Sequence, residues 1–310
     1  MDLGFLLANC LKDYNILNRE FVLKTSDMEV IKMLSNRNRA EGWQHAKLSG
    51  HENERLIAEL TERDSTVQRR LLDAAHIHGC SIQSVEYGGL CEVDVDSVFG
   101  GKTKSKTDMW LNLSNGQRLN VSIKKDEGGQ VFLIGIDRFI EGFEYQYEKE
   151  LPEAVKRALH LYFGSAEDTI DIINRFGGAN KPLEIRKHRL VGDTLRAYDA
   201  DLYNGLLQWF NDNIVDLFDF CFAKGLACNP QDWAHIVWYK NMIGENQFDT
   251  IIYLPDITNR ISATAEYGTR NGGSTIQLPF GFVQWHSPRK VIPGNLQFHH
   301  SYSKVLDFIK

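Results

Sequence analysis

The stretch DMWLNLSNGQRLNVSIK, which runs from Asp108 to Lys124, decides the fold. It contains two strand-like runs separated by Ser114-Asn115-Gly116. Asn-Gly can close a two-residue hairpin turn, and a glycine in the left-handed region can instead close a three-residue loop with a bulge. The two turns differ in register, and a slip of one residue moves every side chain of a strand to the other face of the sheet. The side-chain pattern can therefore distinguish between them.

The distribution of apolar residues favours the three-residue loop. In the two-residue register each cross-strand pair mixes an apolar with a polar side chain, as in Leu111 opposite Asn120. In the three-residue register Leu111 faces Leu119, and Met109 faces Val121. The other face then collects Asp108, Trp110, Asn112, Arg118, Asn120, Ser122 and Lys124. The pattern thus predicts a bulged hairpin with one apolar face and one polar face.

The favoured register puts Asp108 directly opposite Ser122, with Lys124 two residues further along the same face. A carboxylate can hold Mg²⁺, which polarises a phosphodiester and activates water. A nearby lysine can stabilise charge in the transition state. Ser122 lacks a carboxylate, but its hydroxyl can bind a metal-bound water. These three side chains are our candidate catalytic group, with Asp108 as the metal ligand.

Asp108 followed by Ser122-Ile123-Lys124 resembles the D…(D/E)-x-K signature of the PD-(D/E)xK nuclease superfamily, with Thr107 where a proline often stands. Ser122 occupies the place of the second acid, which is a departure from the pattern. Some small type II restriction endonucleases carry asparagine there, in a T-D…N-x-K arrangement, and this chain looks most like those. The resemblance implies a mixed α/β core that carries the site, Mg²⁺ as cofactor and double-stranded DNA as substrate. It also implies that Lys124 is the catalytic lysine.

A second acid has to come from elsewhere in the chain. Apolar residues at helical spacing predict a long helix over 50–78, with Ser49 as its N-cap and Glu52 completing a capping box. Many members of the superfamily carry a metal-binding glutamate on their first core helix, so Glu54 is our candidate for catalysis and metal binding. The alternative is a solvated carboxylate favoured by the helix dipole. Further acids that remain open are Glu92, Asp94 and Asp96.

A basic segment includes the hairpin. Between residues 102 and 125 there are six basic side chains and one acid, a local charge of +5 in a chain whose net charge is −6. We expect this segment to contact DNA phosphates, because Lys and Arg on the backbone supply much of the affinity for DNA. The alternative is a solvated loop of surface lysines. The candidate contacts are Lys102, Lys104, Lys106 and Lys125.

The C-terminal segment 249–310 is predicted to be β-rich, and it combines glycine, amide and basic side chains. Glutamine can pair with adenine, and arginine or lysine with guanine, so such side chains can read base edges. The restriction enzymes mentioned above end in a similar segment that closes on M-Q-F-K, comparable with Leu296-Gln297-Phe298-His299 here. Adjacent His299 and His300 point to opposite faces of a strand, which argues against zinc. The candidate DNA contacts are Arg270, Gln284, His286, Arg289, Lys290, Gln297 and His299.

Composition limits the class of protein further. The five cysteines include no C-x-x-C pair, which argues against a disulfide framework or a zinc ribbon and favours a reducing compartment. The apolar stretch after Asp2 lacks a preceding basic region, so no signal peptide is expected. No run approaches about 18 apolar residues, so no membrane span is expected. Together with the resemblance, these features imply a cytoplasmic, prokaryotic protein.

These observations predict an α/β protein: a mixed β-sheet nuclease core flanked by helices, a helical middle insertion and a β-rich C-terminal DNA-binding region. We divide the chain into 1–150 (N-terminal helices and hairpin), 151–248 (mainly helical) and 249–310 (β-rich, in one compact domain with the core). Aromatic residues within 233–239 recur at helical spacing, and we interpret them as core packing.

The predicted activity is site-specific, Mg²⁺-dependent cleavage of double-stranded DNA, as in type II restriction endonucleases. One alternative is another nuclease of the superfamily, from DNA repair or phage recombination. The other is a DNA-binding protein without catalysis, in which the missing acid marks an inactive site. A monomer and a homodimer both remain open.

Overall fold

The computed structural model describes residues 39–88, 94–177, 189–243, 248–257, 264–286 and 294–309. For residues 39–49 it describes the backbone alone. Predictions that concern residues 1–38, Glu92, Arg289 and Lys290 lie outside the described residues. By its contacts the chain divides into two units, 1–49 and 50–310. Both sheets and the candidate site belong to the second unit. No helix of the described portion is long and apolar enough to span a bilayer.

Helices and strands follow one another in blocks along the described chain. The helices are α1 (Arg39–Arg63), α2 (Ser65–Ala74), α3 (Ile136–Tyr147), α4 (Glu153–Phe163), α5 (Thr169–Phe176), α6 (Gly192–Tyr198), α7 (Ala200–Asp212), α8 (Ile214–Asp219) and α9 (Tyr302–Phe308). The strands are β1 (Ile82–Tyr87), β2 (Asp94–Asp96), β3 (Lys102–Lys104), β4 (Met109–Leu113), β5 (Arg118–Lys124), β6 (Gly128–Gly135), β7 (Ile236–Lys240), β8 (Asp249–Tyr253), β9 (Glu266–Tyr267), β10 (Thr275–Leu278), β11 (Gly281–His286) and β12 (Asn295–Ser301).

Two five-stranded sheets organise the second unit. The first has the order β1-β4-β5-β7-β8 and is mixed, because β5 and β7 run parallel while the other neighbours are antiparallel. The second has the order β6-β12-β11-β10-β9 and is antiparallel. Strands β2 and β3 form a separate short hairpin. The predicted α/β class, with a mixed sheet, a helical middle and a β-rich C-terminal segment, is confirmed.

The hairpin of β4 and β5 has the three-residue register, with Leu111 opposite Leu119. Its turn is closed by Gly116, whose φ of +82° lies in the left-handed region. The N–H of Gly116 donates to the carbonyl of Leu113 (3.0 Å), and the N–H of Leu113 donates to the carbonyl of Gln117 (2.9 Å). Glycine reaches this conformation without steric cost, which explains the choice of turn. The register predicted from the apolar pattern is therefore confirmed.

The polar face of the hairpin is largely buried. Trp110 is 7 % exposed, Asn120 is fully buried and Ser122 is 1 % exposed. The amide nitrogen of Asn120 donates to the carbonyls of Gln231 (2.8 Å) and Trp233 (2.7 Å), so a later loop satisfies this donor. A chain segment remote in sequence thus contacts the polar face.

Helices α1 and α2 cover the opposite face of the first sheet, where Ile57 and Leu71 pack in one buried cluster with Leu111. The prediction of one helix over 50–78 that begins at an N-cap Ser49 is wrong, because α1 begins at Arg39 and continues through Ser49 to Arg63. Asp64 then starts a new helix: its carboxylate accepts hydrogen bonds from the backbone N–H groups of the first turn of α2. Such a cap competes with continued helix.

Of the aromatic residues within 233–239, Trp238 and Tyr239 belong to the interior strand β7, in which every residue is buried. Their role in the core is confirmed, whereas Trp233 and His235 precede the strand and are only half-buried. The helical spacing is misleading, since a strand buried on both faces shows no alternation.

Next to β7 lies a group that we call the Asp249 cluster. Its carboxylate accepts hydrogen bonds from Arg70 (3.0 Å), Trp238 (2.9 Å) and Lys240 (2.9 Å). This cluster ties α2 to the first sheet.

Candidate active site

Asp108 lies just before β4 and is held in place by the neighbouring strand. Its Oδ2 accepts a hydrogen bond from the backbone N–H of Ile123 (2.6 Å) and one from the hydroxyl of Ser122 (3.2 Å). The backbone N–H of Asp108 donates to the carbonyl of Val121 (2.9 Å). Because both bonds to the carboxylate fall on Oδ2, the other oxygen, Oδ1, is the one that can face a cation.

Lys124 completes the group that the register brings together. Its Nζ donates to Oγ of Ser122 (2.6 Å) and to the carbonyl of Ile123 (3.2 Å). It lies 3.9 Å from Oδ2 of Asp108. The side chains of Lys124 and Asp108 remain 18 % and 28 % exposed, whereas Ser122 is buried. The end of the hairpin thus presents one acid and one ammonium group, joined through a hydroxyl and still open to solvent.

Glu54 belongs to the same electrostatic neighbourhood, although it stands within α1 rather than at a helix start. Burial and then the negative charge of Asp108 raise the pKa of Glu54 above its ordinary value. A hydrogen bond from His51 and the charges of His51 and Lys124 act in the opposite direction. Nδ1 of His51 lies 3.1 Å from Oε2 of Glu54. The acid nominated from sequence therefore interacts with both charged members of the hairpin group.

The carboxylates near the hairpin suit Mg²⁺, which keeps several waters, better than a metal ion whose ligands all come from the protein. Within the described part of the chain, no three His, Cys, Asp or Glu side chains stand close enough to enclose a metal ion. Mg²⁺ commonly takes one or two carboxylates and keeps several waters. Asp108 and Glu54 supply two carboxylates, and a divalent cation between them would relieve the repulsion that raises the pKa of Glu54. The residues thus fit the cofactor that the sequence suggests.

The basic segment before the hairpin is less available for phosphate than its charge suggests. In the β2–β3 hairpin, Lys102 pairs with Asp96 (2.6 Å) and Lys104 pairs with Asp94 (2.7 Å). Asp94 and Asp96, further candidates for the missing acid, are thereby engaged with lysines. These ion pairs offset much of the local positive charge.

Lys106 turns inward, contrary to the expectation of a surface lysine. Its Nζ donates to the carbonyl of Val131 (3.0 Å) and lies 3.5 Å from the centre of the Phe132 ring. Burial lowers the pKa of Lys106 to about 7, with a smaller contribution from the charge of Lys124. The amino group of Lys106 therefore packs against β6 instead of facing solvent. The reason is local: the loop that leads into β4 directs this side chain toward β6.

The C-terminal candidates divide between the outer face of the second sheet and a nearby turn. Gln284 and Gln297 are cross-strand neighbours, joined by a hydrogen bond of 2.8 Å, and Gln297 donates onward to Gln130 of β6 (2.7 Å). His299 stacks on Phe282 with ring centres 4.5 Å apart. We call this row of amides and rings the glutamine face.

The other candidates in this region stand apart from that row. His286 ends β11 partly buried, and Arg270 is exposed in the turn before β10. Lys125 lies 3.7 Å from Asp126 at the end of β5. His300 points inward, opposite to His299, with Nδ1 2.9 Å from the hydroxyl of Tyr239. The expectation that the two histidines point to opposite faces is confirmed.

Sequence reasoning did not identify His51. The signal was available, because residues three apart on a helix are neighbours, and His51 precedes Glu54 by three. A cleft of 730 Å³ was also not foreseen. It lies at the turn end of the hairpin, bordered by Gly116, Arg118 and His235, rather than at the end that carries Asp108.

Comparison with known proteins gives a similarity in structure but none in sequence. No family model matches the chain, and no curated protein matches it in sequence. A crystal structure of the restriction endonuclease MspI in complex with its cognate DNA is similar over 95 % of this chain and 98 % of that chain, with 12 % sequence identity and a TM-score of 0.41.

Proposed function

We propose that this protein is a Mg²⁺-dependent endonuclease that hydrolyses phosphodiester bonds of double-stranded DNA at specific sites, in the manner of a type II restriction enzyme. The observation that carries the proposal is the convergence of Asp108, Ser122 and Lys124 at the open end of one hairpin, with Glu54 in electrostatic contact. Two acids and a lysine around a solvent-accessible point are the groups that metal-assisted phosphodiester hydrolysis needs.

Each side chain has a distinct part in this proposal. Asp108 and Glu54 hold the cation, and the two bonds to Oδ2 of Asp108 keep its carboxylate in one orientation. When bound, Mg²⁺ supplies polarisation of the scissile phosphate and a more acidic water. Lys124, fixed by Ser122, stabilises the charge that develops on the phosphate. Ser122 stands where the superfamily pattern has a second acid. Its hydroxyl orders the charged side chains of Asp108 and Lys124.

Recognition of DNA is assigned to two regions in the same proposal. The basic side chains of Lys125, at the end of β5, and of the exposed Arg270, in the turn before β10, contact the phosphate backbone. The glutamine face supplies amide donors and acceptors for base edges, since glutamine can make two hydrogen bonds to adenine. The amide-to-amide bonds from Gln284 through Gln297 to Gln130 order these side chains before DNA arrives, which lowers the entropic cost of binding.

Cleavage of a plasmid of known sequence tests the proposal. With Mg²⁺ we expect discrete fragments, and we expect Asp108→Asn and Lys124→Ala to lower the cleavage rate by about 100- to 1000-fold. Asparagine can still accept the bonds from Ile123 and Ser122, so the hairpin should stay folded.

Lys149 and Asp216 form a surface ion pair remote from the hairpin in sequence and serve as the matched control. Lys149→Ala and Asp216→Asn should cut at the wild-type rate. A smear of fragments would favour a non-specific nuclease of the same superfamily. Binding of DNA without cutting would favour the inactive DNA-binding protein. Wild-type cleavage by both Asp108→Asn and Lys124→Ala would refute the assigned site.

A further inference from the structure

His51 lies beside the proposed site without a part in the chemistry above. It stands three residues before Glu54 on α1, and its Nδ1 is 3.1 Å from Oε2 of that carboxylate. The side chains of His51 and Glu54 are 14 % and 18 % exposed. The contact is therefore a mostly buried histidine–carboxylate pair, in which the geometry of one side chain constrains the other.

The pair fixes the tautomer of the histidine. When Glu54 is ionised it only accepts hydrogen bonds, so Nδ1 of His51 then carries the proton that points at Glu54. The other nitrogen, Nε2, is buried and has no hydrogen-bond partner among the described residues. The ring is thus oriented by its single bond to Glu54.

The carboxylate of Glu54 needs a hydrogen-bond partner because the nearby Asp108 carries the same charge. The carboxylate of Glu54 is mostly buried and experiences the like charge of Asp108. A glutamate has three rotatable side-chain bonds, and repulsion would turn its carboxylate away from Asp108 in the absence of a cation. The contact with Nδ1 of His51, at 3.1 Å, holds the carboxylate against that rotation.

We propose that His51 is a positioning residue, which holds Glu54 toward Asp108 so that the two carboxylates share one divalent cation. This inference rests on the proposed function. With Oε2 engaged by Nδ1 of His51, the other oxygen of Glu54, Oε1, is left for the metal. Hydrogen-bond partners of metal-binding side chains typically contribute 10- to 100-fold to metal affinity.

The test is Mn²⁺ binding to the DNA-free, full-length protein, followed by electron paramagnetic resonance. We expect His51→Leu to weaken Mn²⁺ binding by about 10- to 100-fold. His51→Asn should restore most of the affinity, because its amide nitrogen stands one bond from Cγ, as Nδ1 does. His51→Gln carries its amide one bond further out and should not restore it.

Two further variants separate positioning from a general loss of structure. In a Glu54→Gln background, His51→Leu should cause no additional loss, because the carboxylate on which it acts is gone. His76 forms a comparable but exposed pair with Asp256 (2.6 Å), so His76→Leu is the matched control and should bind Mn²⁺ normally. Cleavage by His51→Leu should recover at high Mn²⁺, whereas cleavage by Lys124→Ala should not.

The outcomes distinguish the two proposals. If the wild-type protein binds Mn²⁺ and cuts DNA but His51→Leu, His51→Gln and His51→Asn all bind as the wild type does, the role of His51 is overturned and the nuclease stands. Equal weakening by all three variants, with no rescue by asparagine, also overturns it. Failure of the wild-type protein to bind Mn²⁺ or to cut DNA overturns the proposed function and this inference together.

Discussion

His300 should make the stability of this protein sensitive to mildly acidic pH. The side chain is 6 % exposed on β12, with Nδ1 2.9 Å from the hydroxyl of Tyr239. Burial, with help from the positive charges of Lys124 and His299, lowers the pKa of His300 from its ordinary 6.5 to about 3. Between pH 6.5 and about pH 3 the ring of His300 binds a proton in the unfolded chain but stays neutral in the folded chain. Stability is therefore complete above pH 6.5 and is lost as the pH falls toward 3.

The size of the effect follows from the two pKa values. At pH 5 the proton bound by the unfolded state costs the folded state about 2 kcal/mol, and at pH 7 the cost is close to zero. Replacement of His300 by asparagine removes the titrating ring and keeps a polar atom near the Tyr239 hydroxyl. We expect His300→Asn to be less stable than the wild type at pH 7, because it leaves a cavity, and to lose about 2 kcal/mol less on going to pH 5.

Urea unfolding followed by tryptophan fluorescence at pH 7 and pH 5 measures both quantities. The difference in the free energy of unfolding between the wild type and His300→Asn at pH 7 measures the cost of the cavity. The change in that difference between pH 7 and pH 5 measures the effect of protonating His300. A Tyr239→Phe variant keeps the ring and the burial of His300 and should retain the acid sensitivity. If the wild-type protein and His300→Asn lose the same free energy of unfolding between pH 7 and pH 5, the reasoning about His300 is refuted.

Substitutions at Gly116, Asp249 and Gly281, with a control at Gly205, test the fold by chemical denaturation. Gly116→Ala forces a side chain into the left-handed region at φ +82° and should cost about 1 kcal/mol, and Gly116→Asn should cost less. Hydrogen bonds within the Asp249 cluster outweigh burial and hold the pKa of Asp249 below its ordinary range. Asp249→Asn should therefore lose less free energy of unfolding than the wild type as the pH falls below 4. An equal loss in the variant and the wild type would contradict this. Gly281→Ala would place Cβ 1.9 Å from the carbonyl of His299 and should cost at least about 2 kcal/mol. Gly205→Ala, in open space on α7, should instead be neutral or stabilising by up to about 1 kcal/mol.

The hairpin was predictable because its information is local. Alternating apolar residues on both sides of Asn115-Gly116 leave one register that buries them all, and the same register aligns Asp108 with Ser122. The existence of a mixed sheet, a helical middle and a β-rich end likewise follows from patterns within short windows. The roles of Asp108, Ser122, Lys124 and Glu54 in catalysis stay predictions until the cleavage assay is done.

The remaining features depend on contacts that short windows do not contain. A charge count could not reveal that Lys102 is paired with Asp96, since that contact requires the β2–β3 hairpin. The inward turn of Lys106 depends on Val131 and Phe132 of β6. The buried state of Asn120 depends on a loop more than a hundred residues later in the chain. In each case tertiary structure supplies the partner that decides where a side chain lies.

The parallel pairing of β5 with β7 also has a consequence for the timing of biosynthesis. Ser122 pairs with Val237, so roughly 115 further residues must be synthesised before the parallel neighbour of the strand that carries the candidate lysine exists. Strand β12, which pairs with β6, comes later still. At about 5–20 residues per second the ribosome needs many seconds to deliver these segments, and contacts so distant in sequence form slowly. A nascent chain that already contains Asp108 and Lys124 therefore lacks the framework that holds them, and the two side chains reach their final arrangement only after synthesis has passed β12.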